Sequence, residues 1–283
     1  MKLDGPESAA GVPVTLIKPS GRWVSLGLRD VWEYRELLYF LVWRDIKVRY
    51  KQTVIGGAWA ILQPLLTMLI FTVIFGRFAK IPSDGLPYPV FAYAGLLPWI
   101  YFSQAVGRGG AGIVSEAGLI RKVYFPRLII PLALVVAPVL DFFLSFVVLL
   151  GMMAWFGIAP TRGVLALPLF LLLAFLTALS VGLWLSALNV RYRDVGHTIP
   201  FLTQIWMYAS PVAYPASLVP EQWRLLYSFN PMAGVIEGFR WALLGKKSPE
   251  FMTMAVSAAV VLVLLLGGVL YFKRMERTFA DVV

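Results

Sequence analysis

Long apolar runs alternate with short charged stretches along most of this chain. A helix needs about 20 mostly apolar residues to cross the hydrocarbon of a bilayer, and six runs approach that length. Residues 56–76 contain no charged side chain. The run 88–107 is interrupted by Pro98, and 128–156 carries Pro131, Pro138 and one acid, Asp141. Residues 164–189 are nearly continuous Leu, Ala and Phe, whereas 197–214 is shorter and less apolar. The last run, 251–272, ends against Lys273 and Arg274. The pattern predicts an all-α integral membrane protein with six transmembrane helices.

Two stretches fit neither a span nor a simple loop. In 30–51 an apolar piece, 37–43, has charges on both sides and is too short to cross. Aromatics beside many charges predict an amphipathic helix lying along the interface. Between the fifth and sixth runs, 215–247 holds Pro220, Trp223, Tyr227, Pro231 and Trp241. Its apolar piece, 232–244, carries Glu237 and Arg240 and is too short to span. This predicts a re-entrant or interfacial helical pair on the outer side. Irregular backbone at membrane depth needs protein or water around it, a placement that suits a pore gate. The organisation is then a tail (1–29), an interface helix (30–53), a permease domain (54–273) and a second tail (274–283). No internal repeat, low-complexity tract or soluble domain interrupts it. The apolar piece 12–17 is too short for a signal peptide and is broken by Pro13; the first long run is expected to act as an uncleaved anchor.

Composition agrees with the pattern. Hydrophobic residues make up 59% of the 283 positions and charged ones only 14%, with a mean hydropathy of +0.77. Soluble chains carry about 25% charged residues. The net charge of +10 reads as basic flanks facing anionic lipid rather than as a nucleic-acid surface. With six spans both termini share a side. Basic residues near the runs favour the side of Arg29, Arg35, Arg44, Lys47, Arg49, Lys51, Arg121, Lys122, Arg127, Arg191, Arg193, Lys273, Arg274 and Arg277. Arg77, Lys80, Arg162, Arg224, Arg240, Lys246 and Lys247 fall opposite. The positive-inside rule therefore predicts cytoplasmic termini. There is no cysteine and only one histidine, His197, so disulfides, thiolate catalysis and His-rich metal sites are excluded.

Catalytic motifs are missing. Gly107, Gly109, Gly110 and Gly112 cluster without a following Gly-Lys-Ser/Thr, and before Gly245-Lys246-Lys247 Arg240 stands where a P-loop needs its first glycine. The chain is expected not to hydrolyse ATP; the glycines read as packing or loosening the inner end of the second run. The loop 115–127 mixes Leu119, Ile120, Tyr124 and Phe125 with Glu116, Arg121 and Lys122. It reads either as an element that docks in a partner's cleft or as a loop on lipid headgroups. The cluster from Trp43 to Lys51 offers Arg44, Lys47, Arg49, Tyr50 and Lys51 either to a phosphate-bearing headgroup or as an ordinary basic anchor. Trp59, Phe71, Phe75, Trp206, Tyr208 and Tyr214 suit interface belts and packing, or a path whose rings face sugars. Asp141 is costly in lipid and by default faces protein or a wet cavity; Gln63 and Gln204 are cheaper polar groups able to bond between helices.

Several of these pieces together resemble the permeases of polysaccharide export, type-2 ABC exporters for O-antigen, capsule or teichoic-acid chains. The resemblance rests on Arg44 to Thr53 followed by Gly56, Trp59, Ala60, Gln63 and Pro64, then on Gly95-Leu96-Leu97-Pro98-Trp99. It continues through Leu119 to Pro126, Asn189 to Asp194, Ser210-Pro211-Val212 and Phe229-Asn230-Pro231-Met232. It implies that Glu116, Leu119, Ile120, Arg121, Lys122 and Tyr124 form a cytoplasmic coupling helix. It likewise implies that 215–244 forms outer gate helices and that two copies assemble with two ATPase subunits. ATP and Mg would bind in those subunits, and the chain itself would hold no cofactor and no metal. The implied cargo is an undecaprenyl-type lipid-linked polysaccharide, most simply O-antigen, crossing a bacterial inner membrane near the first and fifth spans. Arg44, Lys47, Arg49, Tyr50 and Lys51 would recruit its pyrophosphate. A drug or lipid exporter of the same architecture is the nearest rival. A membrane glycosyl- or acyltransferase would need a convergent acid, base or metal set, and none is visible.

Overall fold

The computed structural model describes residues 28–51, 56–245, 251–276 and 278–279. Most of the predicted tail, together with Gln52, Thr53, Lys246, Lys247 and Arg277, lies outside them. Among the described residues every regular element is helical. In chain order these are α1 (Leu28–Glu33), α2 (Arg35–Lys51), α3 (Gly56–Phe71), α4 (Tyr88–Ser115) and α5 (Ala117–Ile120). Then follow α6 (Ile129–Val136), α7 (Val139–Trp155), α8 (Leu167–Arg191), α9 (Asp194–Tyr208), α10 (Glu221–Ser228), α11 (Pro231–Leu244) and α12 (Phe251–Glu276).

The predicted interface helix is α1 plus α2. Glu36 sits in the first turn of α2 and Arg49 and Lys51 in its last, the signs that a helix dipole favours at each end. Tyr39, Phe40, Trp43 and Val48 are exposed along it, and Leu41 is its one buried residue.

Among the described residues, four helical stretches are long and apolar enough to cross a membrane: Gly57–Phe78, Ile129–Trp155, Arg162–Arg191 and Phe251–Glu276. The first joins α3 to a π-helical turn, Thr72–Phe78. The second joins α6 and α7 across the break at Ala137 and Pro138, where the proline cannot continue the hydrogen-bond ladder. The third adds the 3₁₀ turn Arg162–Ala166 to α8; Thr161 caps that turn by accepting from the Gly163 N–H at 3.2 Å.

The other two predicted spans differ for a physical reason. At 28 residues α4 is long enough, but it carries Gln104, Arg108 and a run of glycines. It tolerates them because other helices cover most of its surface. Gly109 faces Gly182 of α8 at backbone contact, Gly110 faces Leu185 and Ile199, and Gly112 faces Leu134 and Ile130. Three of the four clustered glycines thus serve close packing, while Gly107 looks into open space. Starting at Asp194, ahead of the predicted 197, α9 has 15 residues. Asn189 sets that early start: its side chain accepts from the Gly196 N–H at 2.9 Å and donates to the Gly110 carbonyl at 3.2 Å.

Two hydrophobic cores result. The larger surrounds α4 with α8 and α11; the smaller gathers Leu41, Ile113, Ile120, Phe125, Ile129, Phe272 and Phe279. The smaller core joins α2, α5, α6 and the end of α12. Arg127 locks it by donating its backbone N–H to the Glu276 carboxylate at 3.0 Å and its guanidinium to the Glu276 carbonyl.

Candidate functional site

Polar contacts concentrate at the two ends of α4, which at about 1.5 Å per residue lie roughly 40 Å apart. At the C-terminal end α2 crosses the bundle and makes three ion pairs. The Arg44 guanidinium grips both oxygens of Glu116, one of them at 3.1 Å. Asp45 accepts from Arg108 of α4 at 3.3 Å. Arg49 pairs with Asp141 of α7, whose other oxygen accepts from the Tyr50 hydroxyl. Burial, reinforced by that bond to Asp141, pushes the Tyr50 hydroxyl above its ordinary pKa, so it stays a donor.

Three cations meet three anions here. Asp141, expected to face protein or a wet cavity, meets protein, 8% exposed. Of the five residues singled out for a headgroup, Arg44, Arg49 and Tyr50 are thus already engaged within the chain. Lys47 and Lys51 are exposed.

Glu116 occupies the corner where α4 stops and α5 begins, with φ −102° and ψ 20°. Its carbonyl accepts from the Leu119 and Ile120 N–H groups at 3.0 and 3.1 Å, which tightens the turn. Ile120 is 7% exposed and belongs to the smaller core, with Leu119 packed against it. The side chains left outward are Arg121, Lys122, Val123 and Tyr124, the last 75% exposed. Residues 120–125 and Arg127 line a cavity of 190 Å³. Of the predicted docking set, Ile120 is therefore an internal anchor and Tyr124 the outward one.

At the other end of α4 the guanidinium of Arg240 is buried under the break that follows α9. It donates to the carbonyls of Pro211 at 2.6 Å, Val212 at 2.7 Å, Phe91 at 3.3 Å and Tyr214 at 3.3 Å. It also pairs with Glu237 at 3.4 Å and lies 3.6 Å over the Phe91 ring. Gly95 leaves the space for it, since a Cβ there would meet an Arg240 nitrogen at 2.6 Å. Beside it Asn230 caps α11 by accepting from the Met232 N–H at 3.1 Å and from the Trp206 indole at 2.8 Å. The Asn230 amide donates to the Ala209 carbonyl at 3.1 Å and the Ser210 hydroxyl at 2.9 Å. The Gly95, Ser210-Pro211-Val212 and Asn230-Pro231 motifs thus meet at one point.

The aromatic set divides. Trp59 on α3 and Tyr208 on α9 are exposed, whereas Phe71 is in the larger core and packs edge-on against Phe75 at 5.2 Å. Trp206 is held by Asn230 and packs edge-on against Phe102 at 5.0 Å. Tyr214 donates to the Tyr208 carbonyl at 3.1 Å and accepts from Tyr227 at 3.3 Å. Gln63 is exposed; at its level Ser145 bonds α7 to α3 instead. Sequence reasoning assigned no role to Asp45, Arg108, Asn230 or Arg240, although Asp45 and Asn230 lie within the motifs that carry the resemblance. An arginine three residues after Glu237, in a helix otherwise apolar, is the signal that was available for Arg240.

Residues 36–244 match the family described as ABC-2 type transporter. The chain is 32% identical over 257 residues to the O-antigen export system permease protein RfbA of Myxococcus xanthus, covering 90% of this chain and 98% of that one. It is 26% identical to the protein of the same name from Klebsiella pneumoniae, over 87% of this chain and 95% of that one. It is also 26% identical to the polysialic acid transport protein KpsM of Escherichia coli, over 83% and 91%.

Proposed function

This chain belongs to the ABC-2 type transporter family, and we propose on that premise that it is the transmembrane subunit of an ATP-driven exporter of lipid-linked polysaccharide. The observation that carries the reading is the full-length match to an O-antigen export permease, 98% of which is covered. O-antigen is accordingly the cargo we propose, with capsular polysaccharide as the second reading because a polysialic acid transporter also aligns over most of its length. The spans are α3, α4, α6 with α7, α8, α9 and α12, and both termini face the cytoplasm of a bacterial inner membrane. In that orientation α10 and α11 form the outer gate.

The mechanism follows from what each end presents. A polysaccharide on a lipid pyrophosphate is too polar to cross hydrocarbon unaided. Lys47 and Lys51 draw the pyrophosphate to α2, where Arg44, three residues before Lys47, is less enclosed than Arg49. A separate ATPase subunit, which binds ATP and Mg, docks on the turn bearing Arg121, Lys122 and Tyr124. Two permeases and two ATPases assemble. The exposed apolar faces of α3 (Leu62, Leu66, Leu69) and α9 (Phe201, Leu202, Ile205) suit the side that meets the second copy. The polymer moves outward between the copies, past Trp59 and Tyr208.

Co-expression with a candidate ATPase, purification and reconstitution test the reading. A stable complex whose ATP hydrolysis rises on adding lipid-linked polysaccharide, but not on adding drug-like amphiphiles, is expected. A permease that binds no ATPase would overturn it.

A further inference from the structure

We propose that Glu116 is a specificity-determining residue, its carboxylate occupying Arg44 against phosphodiester lipids and yielding it to pyrophosphate. The inference rests on the headgroup reading of α2. Arg44, Lys47 and Lys51 stand at i, i+3 and i+7, which places them along one stripe of a helix. An anion held by the two exposed lysines therefore arrives beside the Arg44 fork. That fork is already filled, because Glu116 accepts from both of its terminal nitrogens. The pair sits at the rim, its side chains 34% and 20% exposed, as does Arg108 with Asp45 at 35% and 22%, whereas Arg49 and Asp141 are 19% and 11% exposed. Of the two rim pairs, Arg44 with Glu116 is the one whose arginine shares the stripe of Lys47 and Lys51, so it is the one a ligand held there reaches.

Charge decides the exchange. A phosphodiester of a bulk anionic lipid carries one negative charge, as the carboxylate does, so replacing Glu116 gains little. A pyrophosphate carries at least two and spans two phosphate groups. It engages Arg44 and Lys47 together, while the released carboxylate returns to water. Bidentate pairing of arginine suits both partners in this exchange. Because Glu116 is also the corner between α4 and α5, its release occurs next to the turn that carries Tyr124.

The test is competition binding to the full chain in phosphatidylcholine nanodiscs. Labelled farnesyl pyrophosphate is displaced by unlabelled farnesyl pyrophosphate, by inorganic pyrophosphate or by phosphatidylglycerol. In the parent protein phosphatidylglycerol should be the far weaker competitor. In Glu116→Gln, which keeps the side-chain shape, the gap between the two lipids should narrow about tenfold, the equivalent of about 1.4 kcal/mol. Should that variant not insert, Arg44→Lys, which keeps the charge and gives up the fork, should narrow the same gap. Equal competition by inorganic pyrophosphate assigns the recognition to the phosphates alone; weaker competition adds the lipid chain, and the role of Glu116 stands in both. An unchanged gap in the variants overturns the inference while leaving the headgroup site intact. A parent protein that binds no farnesyl pyrophosphate overturns the headgroup reading and the inference with it.

Discussion

The Ser145 hydroxyl donates to the carbonyl of Ala60 at 2.8 Å, and that carbonyl is the one which Pro64 deprives of its helical partner. Proline has no N–H to return four residues back, so α3 carries an open acceptor where it packs on α7. One side chain from α7 closes it and joins the two helices. Ser145→Ala should therefore cost about 1–2 kcal/mol, seen as a fall of about 2–6 °C in thermal unfolding in detergent. In Pro64→Ala, which restores the helical bond, the same serine substitution should cost much less. Equal losses in both backgrounds would refute the account.

Arg240 and Gly95 form a matched pair of charge and space. Gly95→Ala forces the guanidinium off its carbonyls, each of which costs about 1–3 kcal/mol when left unsatisfied in a buried place. The variant should be among the least stable single substitutions in the chain. In an Arg240→Met background, where the guanidinium is gone and the Val212 carbonyl at 3.1 Å is the remaining close backbone contact, Gly95→Ala should cost clearly less than in the parent. A double-mutant cycle on thermal stability measures this coupling, and simple additivity would disprove it.

Element types were legible in the sequence because lipid imposes long apolar runs. The four stretches by length and apolarity, and helices at α2 and at the pair α10 and α11, all follow from the hydropathy pattern. What was not legible depends on partners far apart in the chain. Asp141 reads as an expensive acid in a span, and only the fold brings Arg49 and Tyr50 to it. Ile120 reads as a docking anchor because a loop residue with an apolar side chain looks unemployed; Phe272 and Phe279, about 150 residues away, employ it. The glycines of α4 were legible as packing residues but not their partners, since Gly182, Leu185 and Leu134 carry no signal of their own.

The Arg49–Asp141 pair should behave as a buried one. Asp141→Leu leaves Arg49 facing a site built for an anion and should cost about 3–5 kcal/mol, read as loss of monodisperse protein or a large drop in unfolding temperature. Replacing both residues by apolar ones, Arg49→Met with Asp141→Leu, should recover most of that loss, because no charge is then stranded. A double variant as unstable as Asp141→Leu alone would show that the acid has a structural role other than meeting Arg49.

Ile120 and Tyr124 are four residues apart and should fail in different ways. Ile120 is inside the smaller core, so Ile120→Asp buries an unpaired carboxylate and should destabilise the permease itself by several kcal/mol, on the order of 3 or more. Tyr124 is 75% exposed, so Tyr124→Asp should leave unfolding temperature within about 2 °C of the parent. Its effect should appear only when the ATPase is present, as a complex that no longer survives size-exclusion chromatography and an ATPase rate that no longer responds to substrate. Leu119→Asp falls between the two, losing stability and docking together, because Leu119 packs on the core that Ile120 enters. Loss of the complex in Ile120→Asp with undiminished stability would place Ile120 on the docking surface after all. A Tyr124→Asp permease that unfolds early would instead make the outward tyrosine a structural residue and leave the docking contact to Arg121 and Lys122.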